Sequence, residues 1–544
     1  MSETAYQSET LEHLGLVAGM FDELGIGELV DALIPQDLAQ RTLSVGQALT
    51  AMVLNGLGFA NRRLYLTSHF FQHKPTERLI APGVKPEHLN DDALGKALDT
   101  LYACGATELY RVIAAQAARR LGLQAKVGHL DTTSFHVDGR YNSSAPPEEG
   151  AGVIHITKGY SRDHRAELNQ VILELITEHQ ASLPLLMRPL SGNTSDKAAF
   201  EHTITAHVGQ LQVEQGLEVL VTDSAGFTAA CLQAYAANGV KWIMSVPSTL
   251  KRAKERVAAV DRSRMQPLTE GYWYLPVRER YAGIPQRWLV VYSEQARQRV
   301  AKTVTRELWK RSEEERQAFE QLGRQRFNCQ EDAEAALASY QQSLRVLEVH
   351  EVSVTAHKHY AHAGRPSKDA VPDALSYHLS GVLAAPVNRR AHLLTRRACF
   401  ILASNELDEA VLSDAEVLAA YKGQAKVERG FRFLKDPMFL ASTLYLKRVE
   451  RIMALLMVMT VCLLVYAALE YRIRQTLHHH QQSVSDQKGQ PTRRPTARWV
   501  FELFLDVHLV TITAGVVQTL IVNLDQELKR LLELLGSSYV ALYS

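Results

Sequence analysis

Three carboxylates in this chain stand where an acid can do more than cap a turn. Asp131 ends the apolar approach KVGHL and opens the small polar run TTS, and Asp223 ends the apolar run LEVLV ahead of SAGF. Each therefore falls where a buried strand emerges, the usual place for ligands in an α/β sheet. Glu428 lies in YKGQAKVERGFRFLK, Tyr421 to Lys435, which reads as a helix with one acid among basic and aromatic residues. At ~100° per residue, Tyr421, Gln424, Glu428 and Lys435 share an arc of roughly 60° on one face. From Ala425 to Arg451, Lys426, Arg429, Arg432, Lys435, Lys447, Arg448 and Arg451 outnumber Glu428, Asp436 and Glu450, a surface that suits a polyanion. Three carboxylates converging from two strand ends and a helix can hold two divalent cations ~3.5–4 Å apart, one activating an attacking oxygen and one stabilising a leaving oxygen. Mg²⁺ prefers such oxygen donors, completed by water and substrate phosphate. That is the chemistry of phosphodiester displacement. Taken singly, the acids have plainer readings: Asp131 and Asp223 as turn or capping residues, Glu428 as a solvated residue with contacts to Gln424 and Arg432.

The elements that must position these residues follow from periodicity. Residues 1–125 read as a helical N-terminal domain, with apolar residues at helical spacing and Asn90 and Asp91 as candidate N-caps. Its basic residues Arg62, Arg63, Lys74, Arg78 and Lys85 fit a solvated surface at least as well as a DNA-binding face. From 126 to 250 short extended segments follow: KVGHLDTTSFHV, VIHITKGY, NQVILELITEH, LPLLMRPL, LEVLVTDSAGF and KWIMSVPS, with a helical TAACLQAYAANG before the last. This pattern predicts a mixed α/β sheet. Residues 251–408 interrupt it with further strands and a charged helical stretch from Gln295 to Leu322, and read as an inserted domain. Residues 409–475 resume the core with the Glu428 helix and an apolar helix. Residues 476–498 read as a basic, Pro-containing linker, and residues 499–544 as a helical closing region.

Composition excludes several classes. A net charge of +1 over 544 residues gives no global field, so an anion must be bound by local basic patches. The five cysteines are widely spaced and form no C-x-x-C pair, which argues against a disulfide framework or a thiolate zinc site and for the cytoplasm. Ile452 to Leu469 is apolar enough to span a membrane. Its charged flanks, its Thr460 and Cys462, and its closeness to the Glu428 helix favour a buried core helix, so no membrane partner is expected.

The blocks HLDTTSFHVDGRY, GYSRDHR, SGNTSDK and VTDSAGF, followed by the Tyr421 helix, resemble the DDE-type transposases of bacterial insertion sequences, in the superfamily named after insertion sequence four. The family helix carries Y-x2-R-x3-E-x6-K; Tyr421, Gln424, Glu428 and Lys435 keep that spacing, with Gln424 in place of Arg. The helical N-terminal region is similar to that of the subgroup named after insertion sequence sixteen-thirty-four. The resemblance implies a ribonuclease-H-like core with Asp131 on its first strand, Asp223 on its fourth and Glu428 on a later helix, and a β-rich domain inserted between the second Asp and the Glu. It further implies metal-dependent cleavage and strand transfer with two Mg²⁺ or Mn²⁺ ions per site held by Asp131, Asp223 and Glu428. Terminal inverted repeats and target DNA are the expected partners, gripped by Tyr421, Gln424, Arg429, Arg432 and Lys435, with a homodimer in the DNA complex. A transposase-derived DNA-binding protein without catalysis is the alternative, and the presence of all three carboxylates favours the enzyme. Asp138, Asp163 and Asp196 are rival acids left outside the triad.

Overall fold

The apolar runs that lead to Asp131 and Asp223 become neighbouring strands of one mixed sheet. In the computed structural model these are β1 (Val127–His136) and β4 (Val219–Thr222), joined by β2 (Gln170–Glu178), β3 (Pro184–Ser191) and β5 (Lys241–Ser245) in the order β3-β2-β1-β4-β5. β1–β2 and β2–β3 are antiparallel, whereas β1–β4 and β4–β5 are parallel. The helix Ala229–Ala237 supplies the crossover that a parallel β4–β5 pair requires. Every residue of β2 and β4 is buried, as continuous apolar strands covered on both faces should be.

The structure describes residues 5–37, 41–59, 64–137, 141, 152–161, 165–361, 364, 371–436, 439, 446–514 and 516–544. Arg62, Arg63, Asp138 and Asp163 lie outside them. The chain divides into two units, one of Met1–Ser245, Arg280–Gln286 and Ser404–Ser544, the other of Val246–Glu279 and Arg287–Ala403.

In the first unit the sheet is followed by α1 (Asp414–Lys422), α2 (Ala425–Leu434) and α3 (Val449–His479). Ser413 and Glu416 start α1 with a reciprocal capping box. α3 contains the apolar run Ile452–Leu469, and its Leu456, Met459 and Leu464 are fully buried. They share one core with Leu16, Leu49, Leu98 and Ile113 of the N-terminal helices and with Val427 and Phe431 of α2. α3 is long and apolar enough to cross a membrane, yet most of that stretch is inside the protein. Among the N-terminal helices, Asn90 caps Asp91–Ala103 by accepting a 3.0 Å bond from the Ala93 amide.

Three expectations differ from the structure. VIHITKGY forms only an isolated bridge, Thr157 to Gln170, and no strand. The stretch expected to be a linker starts inside α3 and continues into a short hairpin of Val484–Ser485 and Pro491–Thr492, held by Trp499 Nε1 donating to the Ser485 carbonyl. The closing region is not helical throughout: His508–Ala514 and Val516–Val522 are strands, and Ala5–Thr10 pairs with the first of them. The β-branched alternation of VTITA and VVQTLIV was the available signal for those strands.

The second unit holds the charged helix Glu294–Arg324, a second helix Gln330–Ser343, and a two-stranded ribbon of β6 (Glu348–His359) and β7 (Ala374–Ala384). Buried Glu315 ties the start of the ribbon to the first helix, its carboxylate accepting from the amides of Arg345, Val346 and Leu347.

Candidate active site

Strand register brings the two aspartates together. β1 and β4 pair in parallel from Val127 opposite Val219 to His129 opposite Val221. Extending that register by two residues sets Asp131 beside Asp223, one residue beyond the end of β4. Asp131 is 8% exposed, and its Oδ1 accepts from the Thr132 amide at 2.7 Å. Asp223 caps the short turn that follows β4, its Oδ1 accepting from the Ala225 amide at 2.9 Å.

Alternation along β1 puts His129, Asp131, Thr133 and Phe135 on one face, and that face is covered by α2. Gln424 meets the strand at one end: its Oε1 lies 3.3 Å from His129 Nδ1 and its Nε2 donates to the Leu130 carbonyl at 3.3 Å. Lys435 meets it at the other, its Nζ 5.9 Å from the centre of the Phe135 ring. Helix and strand therefore run in the same sense. Glu428 is about 6 Å along the axis from Gln424, and Asp131 is about 7 Å along the strand from His129, so Glu428 stands level with Asp131. Tyr421 links the remaining pair. It is hydrogen-bonded to Ser245 at the end of β5, and its phenol is pushed up by burial first, with the charges of Asp223 and Glu428 adding to the shift.

The carboxylates are neighbours but not a closed cage. Among the described residues, no three His, Cys, Asp or Glu side chains come close enough to enclose a metal ion. In kind, the donors fit a hard divalent cation: three carboxylates and no thiolate, with Asp223 just past the end of β4 and Asp131, expected where its strand emerges, instead in the middle of β1. Glu428 is exposed on its helix, as are Arg429 and Arg432, while Tyr421 and Lys435 are half-buried.

Gln424, expected on the DNA-facing stripe, is 9% exposed, and its amide nitrogen donates to the Leu130 carbonyl of β1. The stretch Tyr421–Lys435 is not one regular helix either: α1 ends at Lys422 and α2 begins at Ala425, with three-residue bonds from Gln424 N to Tyr421 O and from Lys426 N to Gly423 O between them. Gly423 sits there because a Cβ would meet the His179 ring at 2.6 Å.

Sequence reasoning missed the groups behind the site. His129 Nε2 lies 2.9 Å from His179 Nδ1, and Lys426 Nζ donates to the His179 carbonyl. The position of His129, two residues before Asp131 on the same strand face, was the signal. On the opposite face, Thr132 donates to Asp196 Oδ1 at 2.6 Å, and Asp196 opens the helix Asp196–Ala206. Burial first, then neighbouring His179, pushes His129 down to about 3. That is below the ~6.5 of an exposed imidazole, so on acidification the unfolded chain takes up this proton before the folded one. Stability is lost as pH falls from about 6.5 towards 3. In His129→Asn, which cannot take up the proton, the drop in melting temperature between about pH 7 and pH 5 should be shallower than in the wild type. An equally steep drop contradicts the buried neutral imidazole.

A comparison of the sequence with curated proteins finds no match. Among solved structures, piggyBac transposase in a synaptic complex with hairpin DNA is similar at a TM-score of 0.36 and 10% identity, with 90% of this chain and 79% of that chain covered. That likeness is too distant to argue from. Residues 6–115 match a domain of unknown function. Residues 124–465, more than half of the chain and including Asp131, Asp223 and Glu428, match the model of the transposase DDE domain, and the chain belongs to that family.

Proposed function

We propose that the protein is a catalytically active transposase of the insertion-sequence-four superfamily, sixteen-thirty-four-like subgroup, which cuts DNA at the ends of its own element and joins those ends to target DNA. The observation that carries this reading is the meeting of Asp131 and Asp223 on adjacent parallel strands with Glu428 level with them on α2. The order β3-β2-β1-β4-β5, with its first three strands antiparallel and the rest parallel, supports a ribonuclease-H-like core.

Asp131, Asp223 and Glu428 would hold Mg²⁺ or Mn²⁺, two ions per site. When bound, these ions activate the attacking oxygen and stabilise the leaving one. The chain's own residues do the rest. Gln424 and Tyr421 fix the height and rotation of α2 against β1 and β5. Exposed Arg429 and Arg432, with Lys435, hold the phosphate backbone beside the carboxylates. The N-terminal helices contribute to gripping the element end, and a homodimer brings two ends together.

The purified full chain, given a duplex carrying its terminal inverted repeat and Mg²⁺, should cut at the repeat boundary and leave a 3′-hydroxyl. Chelation should stop the reaction. A protein that binds the repeat tightly but never cuts it with either metal supports the inactive alternative.

Counterion release separates the basic residues from Gln424. Arg429→Ala, Arg432→Ala and Lys435→Ala should each make the slope of log affinity against log salt shallower by roughly 0.9. Gln424→Arg should leave the slope unchanged and lower stability, because the new charge would sit between His129 and Lys426. A steeper slope in Gln424→Arg would place that side chain on the DNA after all.

A further inference from the structure

The basic stretch expected to be a linker is fastened to the catalytic unit. α3 presents Tyr466, Glu470 and Arg474 in one row, four residues apart, and Pro495–Arg498 runs along it. Arg474 Nε donates to the Pro495 carbonyl at 2.8 Å, the Ala497 amide to Glu470 Oε2 at 2.9 Å, and the Arg498 amide to the Tyr466 hydroxyl at 3.1 Å. Just ahead, the Arg494 amide donates to Thr492 Oγ1 at 3.2 Å and Arg493 Nη2 to the Gln481 carbonyl at 3.5 Å. Pro491 and Pro495 on either side fix the backbone further.

α2 meets the same row of α3. The Phe433 and Tyr466 ring centres lie 4.6 Å apart, and Asp436, just past α2, accepts from Arg498 Nη1 at 3.4 Å. Lys426 is about 10 Å back along α2 from Phe433, and Arg474 about 12 Å along α3 from Tyr466, so the two spans match. The charges show that their far ends meet as well. Burial first pushes the Lys426 ammonium down, Glu178 opposes this, and Arg429, Arg494 and Arg474 add to the fall. Arg474 is paired with Glu470 at 2.7 Å. Arg429, Arg493 and Arg494 are exposed, and among the described residues none of them has an ion pair. Guanidinium groups held this close without carboxylates repel one another, and an anion laid across them relieves that repulsion.

We propose that Arg493 and Arg494 grip the phosphate backbone of duplex DNA together with Arg429, which makes this fastened stretch part of the DNA interface beside Glu428. The guanidinium fork matches phosphate oxygens and keeps its charge at any working pH. Phosphate contacts fix register and orientation without reading sequence, as a site that must present one phosphodiester to its carboxylates requires. All of these residues belong to the same unit as Asp131, Asp223 and Glu428. The inference rests on the reading of the protein as one that cuts DNA, and extends its grip beyond α2.

The test uses the full chain and the terminal-repeat duplex. Arg494→Ala should make the slope of log affinity against log salt shallower by roughly 0.9, and Arg493→Ala combined with Arg494→Ala by about 1.8, whereas Arg494→Lys should keep the wild-type slope. Melting temperatures should not fall, because the exposed side chains removed are like charges. In ethylation interference, at least one phosphate whose alkylation weakens the wild type should no longer matter to Arg494→Ala. Lys488→Ala, which loses the same charge at the exposed hairpin turn, should leave slope and pattern unchanged. A slope change there equal to that of Arg494→Ala would reveal a diffuse field instead of a grip and overturn the proposal. If the double variant keeps the wild-type slope and interference pattern while the wild type binds and cuts the repeat, the proposal falls and the transposase reading stands. A wild type that neither binds nor cuts DNA overturns both.

Discussion

Glu428→Gln protein should bind the terminal-repeat duplex as tightly as the wild type and cut it roughly a thousandfold more slowly or worse, as expected when one member of a set acting as a unit is removed. Glu428 is exposed on α2, so the amide changes no packing. What it removes is the negative charge that bears, together with that of Asp223, on the Tyr421 phenol. Asp131→Asn and Asp223→Asn should give the same split between binding and cutting. Each keeps an acceptor for its backbone partner, the Thr132 amide in one case and the Ala225 amide in the other. Double variants should lose little more than single ones, because a site missing one ligand is already disabled. Cutting by Glu428→Gln at near the wild-type rate would remove this residue from the triad.

Leu456→Lys should leave the protein unfolded or insoluble. Leu456 is fully buried in α3, within the core that joins α2 to the N-terminal helices. A lysine there buries a charge with no partner, at a cost of roughly 3–5 kcal/mol, a large part of the ~5–15 kcal/mol that holds a typical fold together. Leu456→Ala should cost about 2–5 kcal/mol through the cavity it leaves, and Leu456→Met under about 1.5 kcal/mol. Circular-dichroism melts of the three variants test the order. A soluble, cooperatively melting Leu456→Lys protein would show that α3 does not pack as described.

What could be read from sequence divides along physical lines. Strands buried on both faces announce themselves as apolar runs, so β2, β3 and β4 were visible, as was the acid where β4 gives out; Asp131 also follows an apolar run, but the polar residues after it continue β1 to His136. The charged helix Glu294–Arg324 was visible for the opposite reason, its length and its charge pattern. VIHITKGY misled because local alternation says nothing about whether a partner strand is within reach. The closing strands were missed because VTITAGVVQTLIV lies between two helical stretches and its partner, Ala5–Thr10, is at the other end of the chain. Gln424 shows the limit of a helical wheel. The arc it shares with Tyr421, Glu428 and Lys435 presumes one unbroken helix, whereas α1 ends at Lys422 and α2 begins at Ala425, and only the contacts to His129 and Leu130 reveal that Gln424 faces β1. His129 had a signal in its spacing from Asp131, but His179 and Lys426 were out of reach for the same reason as Gln424: they come from a strand end and a helix that meet only in three dimensions.

Iron-directed cleavage of the polypeptide tests whether Asp131, Asp223 and Glu428 share metal ions. Fe²⁺ replaces Mg²⁺ in the full chain bound to terminal-repeat DNA, and ascorbate with peroxide then generates radicals that cut the backbone beside the bound ion. Three clusters of cuts are expected, next to Asp131, Asp223 and Glu428, all suppressed by excess Mg²⁺ and all lost together in Glu428→Gln. Cuts at Asp131 and Asp223 that persist in Glu428→Gln, or cuts concentrated elsewhere in the chain, would contradict that sharing.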